Sequence, residues 1–164
     1  MKRVIVFFIM ILLLVLDNSF CPFFAISKAI PSLLFVFAIA YSIIYGKSEA
    51  IIVGVFSGVL QDIYFTNCFG INCLVNIICC YIAASIGESI WKEKKIIPIV
   101  SIFFISVFKY YLILLILYCM GINIEIIRGV FIAIYNSVIM FFTYKIIFKY
   151  YKKEHSEVTW RFKW

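Results

Sequence analysis

The chain has 164 residues, of which 66% are hydrophobic and 14% are charged, and its mean hydropathy is +1.12. A water-soluble domain of this size exposes too much of its surface to hide so much apolar area, which excludes that class. The net charge of +7 could indicate nucleic-acid binding, but the basic residues lie mainly at the ends of apolar runs. That arrangement instead favours retention of these ends on the cytoplasmic side of a membrane.

The first apolar run covers residues 4–16 and follows Lys2 and Arg3. A basic start before a short apolar run also resembles a secretory signal. Cleavage would need small residues after the run, and the stretch 17–22 contains Asp17, Phe20 and Pro22 instead. We therefore expect an uncleaved first membrane span, which could continue as far as residue 24.

The second predicted span, residues 31–45, is unusually short. Proline is favoured where a helix begins, so Pro31 is expected to open it. Fifteen residues rise only about 22 Å, which is less than the ~30 Å hydrocarbon core. Either the helix begins nearer residue 23 and kinks at Pro31, or part of the preceding link is buried against protein, and the sequence leaves both open.

Four further spans follow from the apolar runs and the turn residues between them. Gly46 begins a polar turn over residues 46–49, and Gly70 ends an uncharged turn over residues 66–70. The predicted spans are 50–65, 71–90, 96–118 and 129–148. Residues 1–148 thus form a predicted all-α domain of six transmembrane helices, and residues 149–164 form a basic, aromatic tail expected to adhere to anionic lipid.

The positions of lysine and arginine predict the orientation, with both termini inside the cell. Only Lys28 and Arg128 then fall in outer segments, and Lys109 and Lys145 fall within spans. The remaining eleven of the fifteen basic residues are on the inner side: Lys2, Arg3, Lys47, Lys92, Lys94, Lys95, Lys149, Lys152, Lys153, Arg161 and Lys163.

Small and polar residues recur every four positions along the third span, so they share one helix face. They are Ala50, Gly54, Gly58 and Asp62, flanked by Ser57 and Gln61. The Gly54-to-Gly58 step is a GxxxG pattern, which lets a second helix backbone approach closely. This face either packs tightly inside one subunit or docks a partner protein or a second copy of the chain.

Two charges within the spans need compensation. Asp62 lies near the outer end of the third span, and Lys109 lies inside the fifth at a similar depth. A buried charge costs about 2.5–3.5 kcal/mol on insertion scales, so we predict an Asp62–Lys109 pair. Lys109 could alternatively extend to the outer interface. The amides of Asn72, Asn76 and Asn136 are candidates for bridging helices.

The sequence predicts neither an enzyme nor a cofactor or metal site. The single histidine, His155, lies in the tail, and the six cysteines form no CxxC pair. No serine lies beside a base in the sequence, and no glycine-rich loop resembles a phosphate cradle. Function is therefore expected to lie in helix faces, short loops and the tail.

The arrangement of residues 31–93 resembles the bacterial rod shape-determining protein MreD family. It has Pro31, an apolar span, the Gly46-Lys47 turn, then Gly54, Gly58 and Asp62, and a later glycine at Gly70. The resemblance implies a six-helix fold similar to the substrate-binding subunits of energy-coupling-factor vitamin transporters. It also implies a non-catalytic scaffold or regulator of cell-wall elongation in the bacterial cell membrane.

The resemblance further implies which molecules the protein contacts. Such proteins are thought to bind the membrane-anchored protein MreC and to act alongside MreB, RodA and a class B penicillin-binding protein. Membrane lipid and a second copy of the chain are further expected partners, whereas nucleic acid is not. The alternative function is a vitamin-type carrier subunit, with Asn72, Asn76 and Tyr64 lining a pocket below the outer loops. An ion channel is disfavoured because repeated pore-lining charges are missing from the sequence.

Overall fold

A computed structural model describes residues 2–24, 30–65, 69–89, 96–119, 121 and 128–161. These residues form six α helices and one short 3-10 helix, which confirms the predicted all-α class and helix count. The α helices are α1 (Lys2–Ser19), α2 (Leu33–Tyr45), α3 (Lys47–Phe65), α4 (Ile71–Ser89), α5 (Ile96–Cys119) and α6 (Arg128–Arg161), and the 3-10 helix is Cys21–Phe24. The predicted loop residues 66–68, 91–95 and 122–127, the link residue Lys28 and tail residues 162–164 lie outside the described residues.

Four helical segments in the described part of the chain are long and apolar enough to cross a membrane. They are Arg3–Phe23, Ile71–Ser89, Ile96–Cys119 and Gly129–Lys153. The helix α2 is apolar but has only 13 residues, and α3 carries Lys47, Glu49 and Asp62. Membrane crossing by α2 and α3 therefore stays a prediction.

The short helix α2 is the centre of the fold. It packs against each of the other five helices, and every residue from 34 to 44 is buried. A helix that is apolar all round suits a position inside a bundle, surrounded by protein rather than by lipid. Its 13 residues, about 20 Å long, therefore need not match the bilayer thickness.

The start of α2 differs from the prediction. The helix begins at Leu33, two residues after Pro31, and Ser32 is the residue that caps it. The Ser32 hydroxyl oxygen accepts a hydrogen bond from the Phe35 amide at 3.2 Å, as an N-cap side chain does. Pro31 itself is buried, so part of the link preceding α2 does lie against protein.

The turn between α2 and α3 is shorter than predicted. Gly46 has a φ of 88°, which favours glycine, and its carbonyl already accepts a hydrogen bond from the Ala50 amide. The residues 47–49, predicted as a polar turn, therefore form the first turn of α3. Gly70 has a φ of 104° and stands directly before α4.

The last helix, α6, continues through the predicted tail as far as Arg161. Its 34 residues rise about 51 Å, well beyond a ~30 Å hydrocarbon core. Tyr151 meets Tyr45 edge-on, with ring centroids 5.4 Å apart, and also stacks on Phe148. The extension of α6 is thus tied to the end of the central helix.

Candidate functional site

The carboxylate of Asp17, near the C-terminal end of α1, closes the N-terminus of α2. It accepts hydrogen bonds from the backbone amides of Leu33 at 2.6 Å and Leu34 at 3.1 Å, and from the Ser32 hydroxyl at 3.1 Å. Asp17 is only 2% exposed. The first amides of a helix have no partner within it, and the helix dipole favours negative charge there. Asp17 therefore supplies the hydrogen-bond acceptors and the negative charge that stabilise the N-terminus of a helix that begins inside the protein.

A row of hydrogen bonds connects Asp17 to Lys109 on α5. The Lys109 ammonium donates to Gln61 Oε1 at 2.8 Å, Gln61 Nε2 donates to Ser32 Oγ at 2.9 Å, and Ser32 Oγ donates to Asp17. Every donor in the row points towards Asp17, so each bond polarises the next. The ammonium also lies 4.0 Å from the centre of the Phe35 ring, a favourable cation–π position. Opposite charges on α5 and α1 are thereby linked through two neutral side chains.

Asn76 on α4 is the second partner of Lys109. Its Oδ1 accepts a hydrogen bond from the ammonium at 2.8 Å. Its Nδ2 donates to Gln61 Oε1 at 3.0 Å and to Ser57 Oγ at 3.2 Å. All polar atoms of this amide are therefore used to join α4 to α3 and α5.

Asn136 brings α6 into the same network. Its Oδ1 accepts a hydrogen bond from the Ser32 backbone amide at 3.2 Å, and its Nδ2 donates to Ser106 Oγ on α5 at 3.1 Å. We call the connected side chains the polar cluster: Asp17, Ser32, Ser57, Gln61, Asn76, Ser106, Lys109 and Asn136. It draws on α1, α3, α4, α5 and α6, and on the residue that caps α2.

Asp62 caps a different helix. Its two carboxylate oxygens accept hydrogen bonds from the backbone amides of Asn72 and Cys73, each at 2.9 Å, and the side chain is 2% exposed. These amides belong to the first turn of α4, so Asp62 does for α4 what Asp17 does for α2.

The structure differs from the predicted ion pair between Asp62 and Lys109. Among the described residues, the Lys109 ammonium contacts the amides of Gln61 and Asn76, while the Asp62 carboxylate faces the start of α4. Asn76 is one helical turn, or about 6 Å, deeper than Asn72, which Asp62 caps. The Lys109 ammonium bonds to Gln61 and Asn76 at that depth, so it does not extend to the end of the bundle where α4 begins.

The small-residue stripe of α3 packs against α4 within the chain. A Cβ atom on Gly58 would lie 2.2 Å from Cys73 Cα, and one on Gly54 would lie 3.0 Å from the backbone of α4. Ala50 and Ser57 are completely buried. We call the contact of Gly54 and Gly58 with α4 the glycine seam. Because α4 covers the stripe, this face is not open to a partner protein or to a second copy of the chain. Of the two alternatives that the sequence left open, the structure shows packing inside one subunit.

At the opposite end of α3, two ion pairs join helix ends. Arg3 on α1 contacts Glu49 at 2.8 Å, and Lys47 contacts Glu88 on α4 at 2.8 Å. The hydrogen bond from Lys47 to the Glu88 carboxylate raises the pKa of Lys47 above its usual value. The i, i+4 spacing of Glu88 and Lys92 also predicts a contact between these two residues, and Lys92 lies outside the described residues.

Asp17, Ser32 and Ser106 are the members of the polar cluster that sequence reasoning missed. Serine directly after proline and before an apolar run is an N-cap pattern, so Ser32 could have been found from the sequence. Asp17 follows a long apolar run, which marks it as an acid that needs a partner. Its contact with the start of α2 depends on how α1 packs against α2, which no local pattern encodes.

The arrangement is suited to holding helices together. Within the described residues, every buried side-chain nitrogen and oxygen has a hydrogen-bond partner, which avoids the cost of an unsatisfied polar group. The described residues also hold no group of three or more His, Cys, Asp or Glu side chains that could bind a metal. The polar cluster thus offers its donors and acceptors to other helices of the same chain.

Apolar helices around a satisfied polar interior define a multi-helix membrane protein. The family model described as rod shape-determining protein MreD matches residues 1–154, which is nearly the whole chain. The chain therefore belongs to the MreD family. Comparison with curated proteins and with solved structures gives no match.

Proposed function

We propose that this protein is a non-catalytic scaffold or regulator of the cell-wall elongation machinery, and that it binds MreC through membrane helices. The observation that carries the proposal is the family match over residues 1–154. In this role the protein acts in the bacterial cell membrane alongside MreB, RodA and a class B penicillin-binding protein. It helps to maintain rod shape without performing a reaction.

The burial pattern supports a scaffold that uses apolar surfaces. The polar cluster points inward, whereas large apolar side chains form outward stripes, such as Phe104, Phe108 and Leu115 on α5. Helices in lipid associate by close van der Waals packing rather than by the hydrophobic effect. A single-span partner would therefore recognise the shape of such a stripe.

The positions of three residues weaken the vitamin-carrier alternative. The side-chain amide of Asn76 forms hydrogen bonds with Ser57, Gln61 and Lys109. The backbone amide of Asn72 donates a hydrogen bond to Asp62. Tyr64 is 63% exposed. The Asn76 side-chain amide is thus engaged within the chain, the Asn72 side chain is buried, and the Tyr64 side chain is exposed.

Depletion in the native rod-shaped host tests the role, and crosslinking tests the partner. We expect depleted cells to lose rod shape, and we expect MreC to crosslink to a photoreactive residue placed on an outward stripe. Phe104 on α5, Phe8 on α1 and Val138 on α6 sample three separate faces, and buried Met140 is the negative control. Depleted cells that keep their shape would contradict the role, and a lack of MreC adducts at all three faces would contradict binding through the described helices.

The proposed orientation places both termini in the cytoplasm, as the distribution of basic residues predicts. Reporter fusions after residues 47, 93 and 153 are expected to be cytosolic. A reporter at any of these positions that becomes active outside the cell would overturn this orientation.

A further inference from the structure

A groove of about 460 Å³ lies between α1 and α3, at the end of these helices where Arg3 and Glu49 meet. Its walls are apolar side chains of α1 and α3, and Tyr41 of α2 also lines it. The principal lining residues are Val6, Phe7, Met10, Ile52, Val53 and Phe56. Phe7 and Phe56 meet edge-on across it, with ring centroids 5.2 Å apart.

The dimensions of the groove fit part of one membrane leaflet. Along α1 it runs from Arg3 to Met10, a rise of about 10 Å. Half of a hydrocarbon core is about 15 Å thick, so the groove covers roughly two thirds of one leaflet. Phe56 is 43% exposed, so the apolar wall faces the surroundings of the bundle as well as the groove.

At the charged end of the groove, the Arg3 guanidinium has more N–H donors than its ion pair with Glu49 uses. Arg3 Nε and Nη2 both contact the same Glu49 oxygen, at 3.2 Å and 2.8 Å. These bonds use two of the five N–H donors of the guanidinium, and the Arg3 side chain is 68% exposed. Glu49, only 22% exposed, thus fixes the guanidinium at the mouth of the groove. In the sequence, Lys2 precedes Arg3 and adds a second basic residue to the start of α1.

We propose that the groove binds an anionic phospholipid, with one acyl chain between α1 and α3 and the phosphate on Arg3. A phosphate accepts charge-assisted hydrogen bonds from a guanidinium, and the remaining donors are available at the level of the headgroups. In the proposed orientation this end faces the cytoplasmic leaflet, where anionic lipid attracts basic residues. The site is independent of MreC and of the polar cluster.

A second groove provides a matched control. It lies between α4 and α5, has a volume of about 330 Å³, and is lined by Ile82, Ile86, Ile97, Val100, Ser101, Phe104, Ile105 and Phe108. Its described lining is apolar apart from Ser101 and includes no charged side chain. Acyl chains can lie in both grooves, but only the groove between α1 and α3 should select for the headgroup.

Fluorescence quenching by brominated lipid tests the proposal. The full chain, with Trp91→Phe, Trp160→Phe and Trp164→Phe, receives one reporter, either Phe56→Trp or Phe104→Trp. It is reconstituted in phosphatidylcholine vesicles that contain acyl-brominated phosphatidylglycerol or acyl-brominated phosphatidylcholine. At Phe56→Trp we expect half-maximal quenching at an about fivefold lower fraction of phosphatidylglycerol, the effect of about one basic residue. At Phe104→Trp the two lipids should quench equally.

Two variants separate the phosphate contact from the ion pair. Arg3→Gln and Glu49→Gln both remove the Arg3–Glu49 ion pair, but only Arg3→Gln removes the cation. We expect Arg3→Gln to abolish the headgroup preference and Glu49→Gln to keep or increase it. Equal quenching by both lipids at Phe56→Trp, the same preference at Phe104→Trp, or its loss in Glu49→Gln would each overturn the proposal.

Discussion

The glycine seam and the polar cluster both hold α3 against α4, but they do so by opposite means. At the seam, Gly54 and Gly58 lack side chains, and the α4 backbone fills the space that a Cβ atom would take. In the cluster, Ser57 and Gln61 lie on the same helix, and each accepts a hydrogen bond from the side-chain amide of Asn76 on α4. The seam therefore depends on the shape of two helices, whereas the cluster depends on partners from across the bundle.

The loss in the free energy of unfolding that a single substitution causes should also differ between the two contacts. A side chain inserted where two backbones touch forces the helices apart, because packed interiors have little spare room. A hydrogen bond between helices in lipid contributes only about 0.6 kcal/mol on average and at most about 1.7, because the unfolded chain finds other partners. The seam should therefore tolerate less change than most members of the cluster.

The largest expected effect is at the seam. Gly58→Ala should lower the free energy of unfolding by about 3 kcal/mol, since its Cβ would lie 2.2 Å from Cys73 Cα. Gly54→Ala, whose Cβ would lie 3.0 Å from Ile77 Cα, should cost about 1 kcal/mol. Denaturant titration in mixed micelles, followed by circular dichroism, measures both. Equal costs for the two variants would contradict the geometry of the seam.

The next largest effect concerns the two carboxylate caps. Asp17→Asn should cost about 2 kcal/mol and Asp62→Asn about 1 kcal/mol, because an amide has one acceptor oxygen and no charge. Asp17 should cost more because it also accepts from the Ser32 hydroxyl and lies at the end of the row from Lys109. The same titration measures both variants. A larger loss of unfolding free energy for Asp62→Asn would show that the row of hydrogen bonds from Lys109 to Asp17 adds no stability.

A double-mutant cycle tests which acid is coupled to Lys109. Lys109→Met combined with Asp17→Asn should show a coupling of about 1 kcal/mol, since the row connects the two charges through Gln61. Combined with Asp62→Asn, the coupling should stay below about 0.5 kcal/mol, the usual limit for independent sites. Strong coupling to Asp62 instead would restore the ion pair that the sequence predicted.

The sequence predicts the seam better than the cluster for a physical reason. The spacing of Gly54 and Gly58 on one helix is enough to mark a close approach, whichever helix makes it. Asp62 is likewise recognisable as a buried acid in need of a partner. Its partners, however, are backbone amides of Asn72 and Cys73, and every helix N-terminus offers such amides. Which one is used follows only from the packing of α3 on α4.

The central position of α2 shows the same limit. The apolar run that ends at Tyr45 is recognisably too short to cross lipid alone, yet two explanations fit that length equally well. The deciding facts are the burial of residues 34–44 and the cap from Asp17, and both arise from the other helices. Most helix bounds were predictable to within a few residues because apolar runs and turn glycines are local features, whereas the end of α6 at Arg161 lies 13 residues beyond the predicted end at residue 148 because its last turns are polar.

The smallest expected effect is at Asn136, at the edge of the polar cluster. Asn136→Ala should cost about 0.6 kcal/mol, the average for a hydrogen bond between membrane helices. It removes one bond to the Ser32 backbone and one to Ser106. Ser106→Ala removes only the second, so it should cost less, and the double variant should cost no more than Asn136→Ala. A loss at Asn136 as large as that at Asp17 would mean that the Ser32 backbone amide, rather than the charged row, controls how α2 is capped.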